Sequence, residues 1–362
     1  MRLTALKLKN FRSYENITLT PPSGITVIAG ENGAGKTNLL EAVHLCCLGR
    51  SHRTNDDADM IMSGAETAAV QLTVERRDGR HDTGVRLFHA QRRKNICYVN
   101  GKTAQRIGDL MGHATCVIFS PEDLGLVQDG PNVRRRYLDM LLSQLQPAYF
   151  FTLQQYTTAL RQRNALLKQP ESPQLSAQLD VWDEQLVRYG SVLIRSREKF
   201  VERLGEIIRP IHRKLSGGRE EMETGYEKNT DIDGFAENVR KCREKDLLLK
   251  TTGCGPHRDD LSFSVNGIDI RKYGSQGQQR SAALSLKLAE ISLVKESTGD
   301  LPVLLLDDVL SELDTSRQRH LLDSIGSIQT FITCTGLEDF VRNNFRLDRV
   351  FQVENGCARQ AE

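Results

Sequence analysis

The sequence predicts an α/β fold, in which strands surround one helix and a mainly helical segment is inserted between two strand-rich parts. Three observations predict it: strand-like alternation over most of the first hundred residues, a glycine-rich loop between a buried strand and a helix, and helical spacing from Pro131 to about Leu215. We therefore expect a first α/β part at 1–128, a mainly helical subdomain at 129–251, and a second α/β part at 252–362.

The glycine-rich loop is the most specific motif of the chain. It follows an apolar, β-branched run at 25–29, typical of a buried strand, and precedes apolar residues at helical spacing from Leu39 to Leu48. Glycines let consecutive backbone N–H groups converge on an anion, and a helix N-terminus adds positive partial charge. The loop therefore predicts a phosphate site, and its sequence, Gly30-Glu31-Asn32-Gly33-Ala34-Gly35-Lys36-Thr37, fits GxxxxGK[ST].

The last two side chains of this loop have separate expected tasks. We expect Lys36 to neutralise the β and γ phosphates of ATP, as a binding and catalytic group, and the Thr37 hydroxyl to bind Mg²⁺. The alternative is a glycine-rich turn that ends in an unrelated lysine, and the flanking strand and helix disfavour it. The predicted cofactors are therefore ATP and Mg²⁺.

An apolar run at 303–306 predicts a second buried strand, and it ends in two carboxylates. Because ligands of parallel sheets lie beyond the carboxyl ends of strands, we expect Asp307 to hold Mg²⁺ and Asp308 to orient or deprotonate the attacking water. The alternative is a pair of helix N-cap residues. The segment 311–314 follows at once and is a candidate cap for the next helix.

Shortly before this strand, the segment 272–280 opens a predicted helix from about Ser281 to Lys295. It resembles the signature motif of ABC-type ATPases, in a variant form with glutamine where many members have glycine. By itself such a segment is equally a loop before a helix. In that superfamily the signature contacts the γ-phosphate held by a partner subunit, and the resemblance implies this role in trans for Ser275, Gln276, Gly277 and Gln278.

Four further segments narrow the resemblance, at 6–14, 121–124, 131–139 and 255–261. They are similar to segments of the RecF family of SMC-like ATPases, bacterial recombination mediators that act on DNA. The resemblance implies an ABC-type ATPase head with mixed sheets around the loop helix. It also extends the expected nucleotide-binding set from the loop to Asn38 and Arg12.

Two positions depart from the wider ABC pattern. Most relatives carry glutamate after the magnesium aspartate, whereas this chain has the shorter Asp308, so we expect slow hydrolysis. The usual switch histidine after the next strand is also missing. Its place is taken by Phe331 to Gly336, which leaves Thr333 and Thr335 as alternative γ-phosphate contacts.

The amphipathic stretch from about Gln174 to Leu215 has apolar residues at near-heptad spacing. One interpretation is a coiled-coil arm, but the run is too short for the long arms of SMC proteins. We expect a compact helical subdomain without a long coiled coil.

Composition indicates a soluble, reduced, cytoplasmic protein. The chain has 362 residues, a net charge of +2 and eight scattered cysteines without a CxxC pair, and no apolar run approaches the length of a bilayer span. Near-neutral charge does not itself indicate DNA binding. Two basic runs are candidate DNA contacts, although such runs are more often solvated faces: Arg92, Arg93 and Lys94, and then Arg134, Arg135 and Arg136.

The resemblance implies a nucleoid-associated protein of DNA repair, recombination and replication. ATP would drive homodimerisation on double-stranded, gapped or junction DNA, and weak, DNA-stimulated hydrolysis would release it. The partners implied are RecO and RecR, with which it would help to load recombinase. Two alternatives remain: the nucleotide-binding subunit of a membrane transporter, and a non-hydrolysing scaffold joined by ATP.

Overall fold

The computed structural model of the protein describes residues 1–89, 94–170, 172–336 and 347–361. The chain divides into two units, residues 1–123 with 287–362, and residues 124–286. The first boundary is close to the expected one. The second lies later than residue 251, because the hairpin after 260 pairs with a strand at 222–227 and so belongs to the second unit.

The strands of the described residues, in chain order, are β1 (Arg2–Phe11), β2 (Tyr14–Leu19), β3 (Ile25–Ala29), β4 (Thr67–Arg76), β5 (Gly79–Phe88), β6 (Ile96–Val99), β7 (Lys102–Thr103), β8 (Cys116–Phe119), β9 (Met222–Glu227), β10 (Asp260–Val265), β11 (Ile268–Asp269), β12 (Val303–Asp307), β13 (Thr330–Cys334), β14 (Arg349–Glu354) and β15 (Cys357–Gln360).

The α-helices of the same residues are α1 (Lys36–Leu48), α2 (Gly125–Gln128), α3 (Pro131–Leu145), α4 (Pro147–Leu166), α5 (Pro173–Leu215), α6 (Phe235–Leu249), α7 (Ile270–Tyr273), α8 (Gln276–Thr298) and α9 (Thr315–Ile325). None of these helices combines the length and apolar composition needed to cross a bilayer.

The first unit contains two six-stranded sheets. One is antiparallel, in the order β2-β1-β4-β5-β6-β7. Its β6–β7 hairpin turns at Asn100 and Gly101, whose φ angles of 50° and 76° suit an Asn-Gly turn. The other has the order β15-β14-β3-β13-β12-β8, and all its pairs are parallel except β14–β15. The carboxyl ends of β3, β12 and β13 therefore lie at one edge.

Helix α1 lies between the two sheets and contacts strands of both. From Leu39 to Leu48 every one of its residues is buried. Eight of these ten residues are apolar, and the other two, Glu41 and His44, have hydrogen-bond partners. This arrangement confirms the predicted fold class, with mixed sheets around the loop helix.

The second unit is mainly helical. Its longest element, α5, has 43 residues and contacts α3, α4, α6 and β9. It is thus packed within a compact unit and does not extend as a coiled-coil arm. Helix α3 ends before Pro147, where α4 begins, and α5 ends at Leu215 as predicted. The sequence interpretation missed β9, which completes the small sheet β11-β10-β9.

Buried arginines join the helices of the second unit. Arg163 on α4 is fully buried, and its Nε donates to Asp183 on α5 at 2.6 Å. Its Nη1 donates to Asp246 on α6 at 2.7 Å and to Thr252 at 2.9 Å. One guanidinium therefore compensates carboxylates from two other helices.

We expect Arg163→Ala to lower the free energy of unfolding by about 3–5 kcal/mol, because it leaves a buried carboxylate without its counter-charge. Urea denaturation followed by circular dichroism measures this loss. Arg161→Ala, at an exposed position of the same helix, is the matched control and should change stability by less than about 0.5 kcal/mol. Equal effects of the two changes would contradict a structural role for the buried network.

Candidate functional site

The glycine-rich loop connects β3 to α1, as predicted. Gly33 and Gly35 have φ angles of 81° and 112°, and a Cβ on Gly35 would approach Ser13 Oγ to 2.6 Å. The buried Tyr14 hydroxyl supports the loop by donating to the Gly35 carbonyl at 3.0 Å, and burial raises the pKa of this phenol. Among the residues that the structure describes, no side chain caps the first turn of α1, and the turn contains no acidic residue. Its N-terminus is therefore available to an anion.

Lys36 folds back across the loop. Its Nζ donates to the carbonyl oxygens of Gly30 at 2.7 Å and Glu31 at 3.0 Å, and the residue is 7% exposed. Among the described residues it forms no ion pair with a carboxylate. A buried ammonium held only by carbonyl oxygens leaves its charge available to a bound phosphate.

Asp307 joins the loop to the acidic strand. Its Oδ1 accepts hydrogen bonds from the hydroxyls of Thr37 and Thr333, both at 2.8 Å. Asp307 is 8% exposed, and within the described ranges no cation pairs with it. A buried carboxylate without a cationic partner, beside a threonine hydroxyl, provides the oxygen ligands that Mg²⁺ prefers, so these residues fit the expected ion.

Asp308 lies immediately after β12 in a left-handed conformation, with a φ angle of 54°. This conformation is uncommon for residues other than glycine, though aspartate adopts it more readily than most. The Asp308 N–H donates to Thr333 Oγ1 at 2.9 Å. Thr333 therefore holds both aspartates. Thr335 is exposed and does not line the cavity described below.

Arg12 lines the site and is held by the buried Glu41. The Arg12 guanidinium donates through Nε and Nη2 to the two Glu41 oxygens at 2.8 and 2.7 Å, and Ser51 also donates to Glu41. Burial opposes ionisation of Glu41, but these bonds outweigh it and hold the pKa of the carboxyl below its ordinary value. Arg53 Nη1 lies 3.5 Å from the same carboxylate.

These groups surround a cavity of about 560 Å³, a size typical of small-molecule sites. Most of the predicted nucleotide-binding residues line this cavity. Gly30, Glu31 and Ala34 do not line it, but the carbonyls of Gly30 and Glu31 accept hydrogen bonds from Lys36. The sequence interpretation missed four lining residues. Ser13 directly follows Arg12, but Arg53, Asp59 and Ile61 lie in a segment without a recognisable motif. The lining is Arg12, Ser13, Asn32, Gly33, Gly35, Lys36, Thr37, Asn38, Arg53, Asp59, Ile61, Asp307, Asp308 and Thr333.

The signature residues belong to the second unit. Helix α8 begins at Gln276, earlier than predicted, and Ser275 stands at its N-terminus. Ser275 and Gln276 are exposed, while Gly277 and Gln278 are half-buried. The segment therefore presents its serine to solvent at a helix N-terminus.

The structure places the two basic runs, 92–94 and 134–136, in different environments. Arg92 and Arg93 lie outside the described residues, and Lys94 is exposed. Arg134 is buried and forms a two-point ion pair with Asp260 at 2.7 and 2.8 Å. It is thus a structural residue, and expecting it to contact DNA was wrong.

The other two arginines of that run also differ from each other. Arg135 donates to the Asp259 carbonyl and to Asn132, whereas Arg136 is exposed. The segments 131–139 and 255–261 therefore bind each other. Of this run, Arg136 remains the candidate for DNA contact.

Comparisons with known proteins agree over the whole chain. The family described as RecF/RecN/SMC N terminal domain matches residues 2–359. The DNA replication and repair protein RecF of Lachnoclostridium phytofermentans is 47% identical over 361 residues, which cover 99% of this chain and 100% of that protein. The RecF protein of Acetivibrio thermocellus is 41% identical over 367 residues, covering 98% and 99%.

Solved structures give the same result. A structure of the recombination mediator protein RecF with ATP, in the RecFOR pathway, has a TM-score of 0.92 and 33% identity, covering 100% of this chain and 98% of that chain. The Smc head domain of Pyrococcus furiosus, at 16% identity and a TM-score of 0.57, covers 99% and 96% and shares the fold. Together with the cavity formed by the phosphate loop and Asp307, these matches show that the chain belongs to the RecF family of SMC-like, ABC-type ATPases.

Proposed function

We propose that this protein is an ATP-gated DNA clamp that closes as a homodimer and opens on slow ATP hydrolysis. The observation that carries the proposal is the bond from Thr37 to Asp307, because it joins the phosphate loop to the acidic strand in one cavity. Family membership disfavours the alternative of a transporter subunit. The names of the relatives connect RecF proteins with DNA repair and replication.

Binding of the triphosphate follows from the groups in the cavity. The N–H groups at the start of α1 and the Lys36 ammonium bind the phosphates by charge and hydrogen bonds. Thr37 and Asp307 would hold Mg²⁺, which neutralises charge between the β and γ phosphates. On the opposite wall, Glu41 fixes Arg12 in one orientation by its two-point bond.

Hydrolysis requires a water molecule in line with the bond between the γ-phosphorus and the bridging oxygen. Asp308 accepts a hydrogen bond and finally a proton from this water, and the bridging oxygen leaves with ADP. Asp308 is held by its backbone bond to Thr333, but its side chain is one methylene shorter than glutamate. Slow turnover follows, which suits a clamp that has to remain closed for some time.

Closure places the Ser275 hydroxyl of one subunit on the γ-phosphate held by the other. ATP favours the dimer only to the extent that it binds the dimer better than the monomer, and this contact supplies the difference. Loss of the γ-phosphate removes it, and the clamp opens.

DNA binding by a nearly neutral chain needs two copies. Closure would bring together two copies of each candidate contact, the exposed Lys94 and Arg136, for the phosphates of double-stranded, gapped or junction DNA. Contacts with phosphates do not depend on the base sequence, and their contribution to DNA affinity falls as the salt concentration rises. RecO and RecR are the protein partners in this proposal.

We expect Lys36→Ala to abolish hydrolysis and ATP-dependent association, because the phosphates lose their nearest cation. Sedimentation with ATP, ADP or neither, with and without duplex DNA, measures dimerisation and DNA binding together. The exposed Lys9→Ala is the control and should behave as the unaltered protein. Normal turnover in Lys36→Ala would contradict the assignment of the loop.

We expect Ser275→Arg to leave ATP binding by the monomer intact and to block dimerisation, because a bulky cation replaces the hydroxyl at the contact. Fluorescent-nucleotide titration and sedimentation measure the two properties separately. The same substitution at the exposed Ser324 is the control. A dimer of Ser275→Arg in the presence of ATP would exclude the cross-subunit role.

We expect Asp308→Asn to slow single-turnover hydrolysis by about a hundredfold and to prolong the life of the ATP dimer, since the amide cannot take the proton. Asparagine tolerates the left-handed conformation, so the backbone is preserved. Asp323→Asn, on the exposed face of α9, is the control. An unchanged rate would exclude Asp308 as the water-orienting group and favour the scaffold alternative.

A further inference from the structure

The start of helix α8 is held by a reciprocal pair of hydrogen bonds. Ser275 Oγ accepts the Gln278 N–H at 3.2 Å, and the Gln278 side-chain Oε1 accepts the Ser275 N–H at 3.0 Å. This is a capping box, in which each residue satisfies a free N–H of the other. Within the described residues, the hydroxyl hydrogen of Ser275 has no acceptor. The exposed serine can therefore donate outward while its oxygen is fixed.

Glu220 determines which end of the Gln278 amide faces the serine. The Gln278 Nε2 donates to Glu220 Oε1 at 3.1 Å, which turns the amide oxygen toward the Ser275 N–H. An amide that rotated by half a turn would present N–H to N–H at the cap and a carbonyl to the carboxylate. Both contacts would then be repulsive, so the carboxylate permits one orientation.

The other oxygen of the Glu220 carboxylate is held by a buried histidine. His212, on the last turn of α5, is fully buried, and its Nε2 lies 3.2 Å from Glu220 Oε2. Its Nδ1 lies 2.9 Å from Ser285 Oγ, further along α8. Because a carboxylate accepts hydrogen bonds, the contact between His212 and Glu220 places a hydrogen on Nε2. The carboxylate is thus fixed between His212 and Gln278.

We propose that Glu220 is the positioning residue that sets the Ser275 hydroxyl for the γ-phosphate of the partner subunit's ATP. The inference rests on the proposed role of Ser275 in trans. Three consecutive hydrogen bonds connect the buried His212 to the exposed serine, and Glu220 is the charged member of this series. A contact that forms only on closure contributes most to the free energy of dimerisation when its donor is already oriented in the monomer.

The first test compares Glu220→Ala with Glu221→Ala, which removes the same charge from the neighbouring exposed position. We expect Glu220→Ala to weaken ATP-driven dimerisation about tenfold, the effect of one hydrogen bond to a charged group, and to leave ATP affinity of the monomer unchanged. Glu221→Ala should change neither. Equal dimerisation by both variants would overturn the proposal.

The second test exchanges the two groups. Gln278→Glu alone places two carboxylates together and should weaken dimerisation at least as much as Glu220→Ala. In the double variant Glu220→Gln with Gln278→Glu, the carboxylate is at position 278 and accepts the Ser275 N–H. The amide is at position 220 and donates a hydrogen bond to that carboxylate. We expect the double variant to recover most of the dimerisation, which a general loss of stability does not explain.

The outcomes separate this inference from the proposed function. Suppose that Ser275→Arg blocks dimerisation, but the double variant recovers none of the dimerisation lost in Gln278→Glu. The proposed role of Glu220 is then wrong, while the cross-subunit role of Ser275 stands. If Ser275→Arg still dimerises with ATP, the proposed function itself fails. Should Glu220→Ala fold poorly, the comparison of Gln278→Glu with the double variant decides.

Discussion

The structure of the nucleotide site depends on one carboxylate oxygen. Asp307 Oδ1 accepts from Thr37 at the start of α1 and from Thr333 at the end of β13, so three segments distant in sequence meet within hydrogen-bond reach. The parallel pairing of β3, β13 and β12 makes this possible, because it brings their carboxyl ends to one edge. The phosphate loop, Asp307 and Asp308 all lie at that edge.

Around this point, the two units use buried charge differently. In the first unit, Glu41 holds Arg12 at the wall of the cavity. In the second unit, Arg134 and Arg163 form ion pairs with carboxylates of other elements. The same residue types therefore serve a ligand site in one unit and packing in the other. Only the three-dimensional partners distinguish these roles, since the residue type is arginine in both units.

This difference explains how far the sequence could predict the protein. The sequence could predict the loop from Gly30 to Thr37 and the two carboxylates Asp307 and Asp308, because their chemistry is set by local backbone geometry at the ends of strands. The burial of Arg134 was not, because its partner Asp260 lies 126 positions away and no local pattern indicates it. Arg53 and Ile61 were missed for a related reason, since they reach the cavity through a segment with no regular period. Strand β9 was missed because its pairing with β10 depends on the fold of the second unit.

The position of β3 has a consequence for the synthesis of the protein. This strand precedes the phosphate loop, yet its neighbours in the sheet are β13 and β14, which are made hundreds of residues later. While the chain emerges from the ribosome, β3 has no partner on either side, and α1 lacks its contacts with β12 and β13. Pairings of such long separation form slowly and leave apolar strands exposed in the meantime. A nascent chain therefore cannot use ATP to assist its own folding, and the site appears only when almost the whole chain has been made.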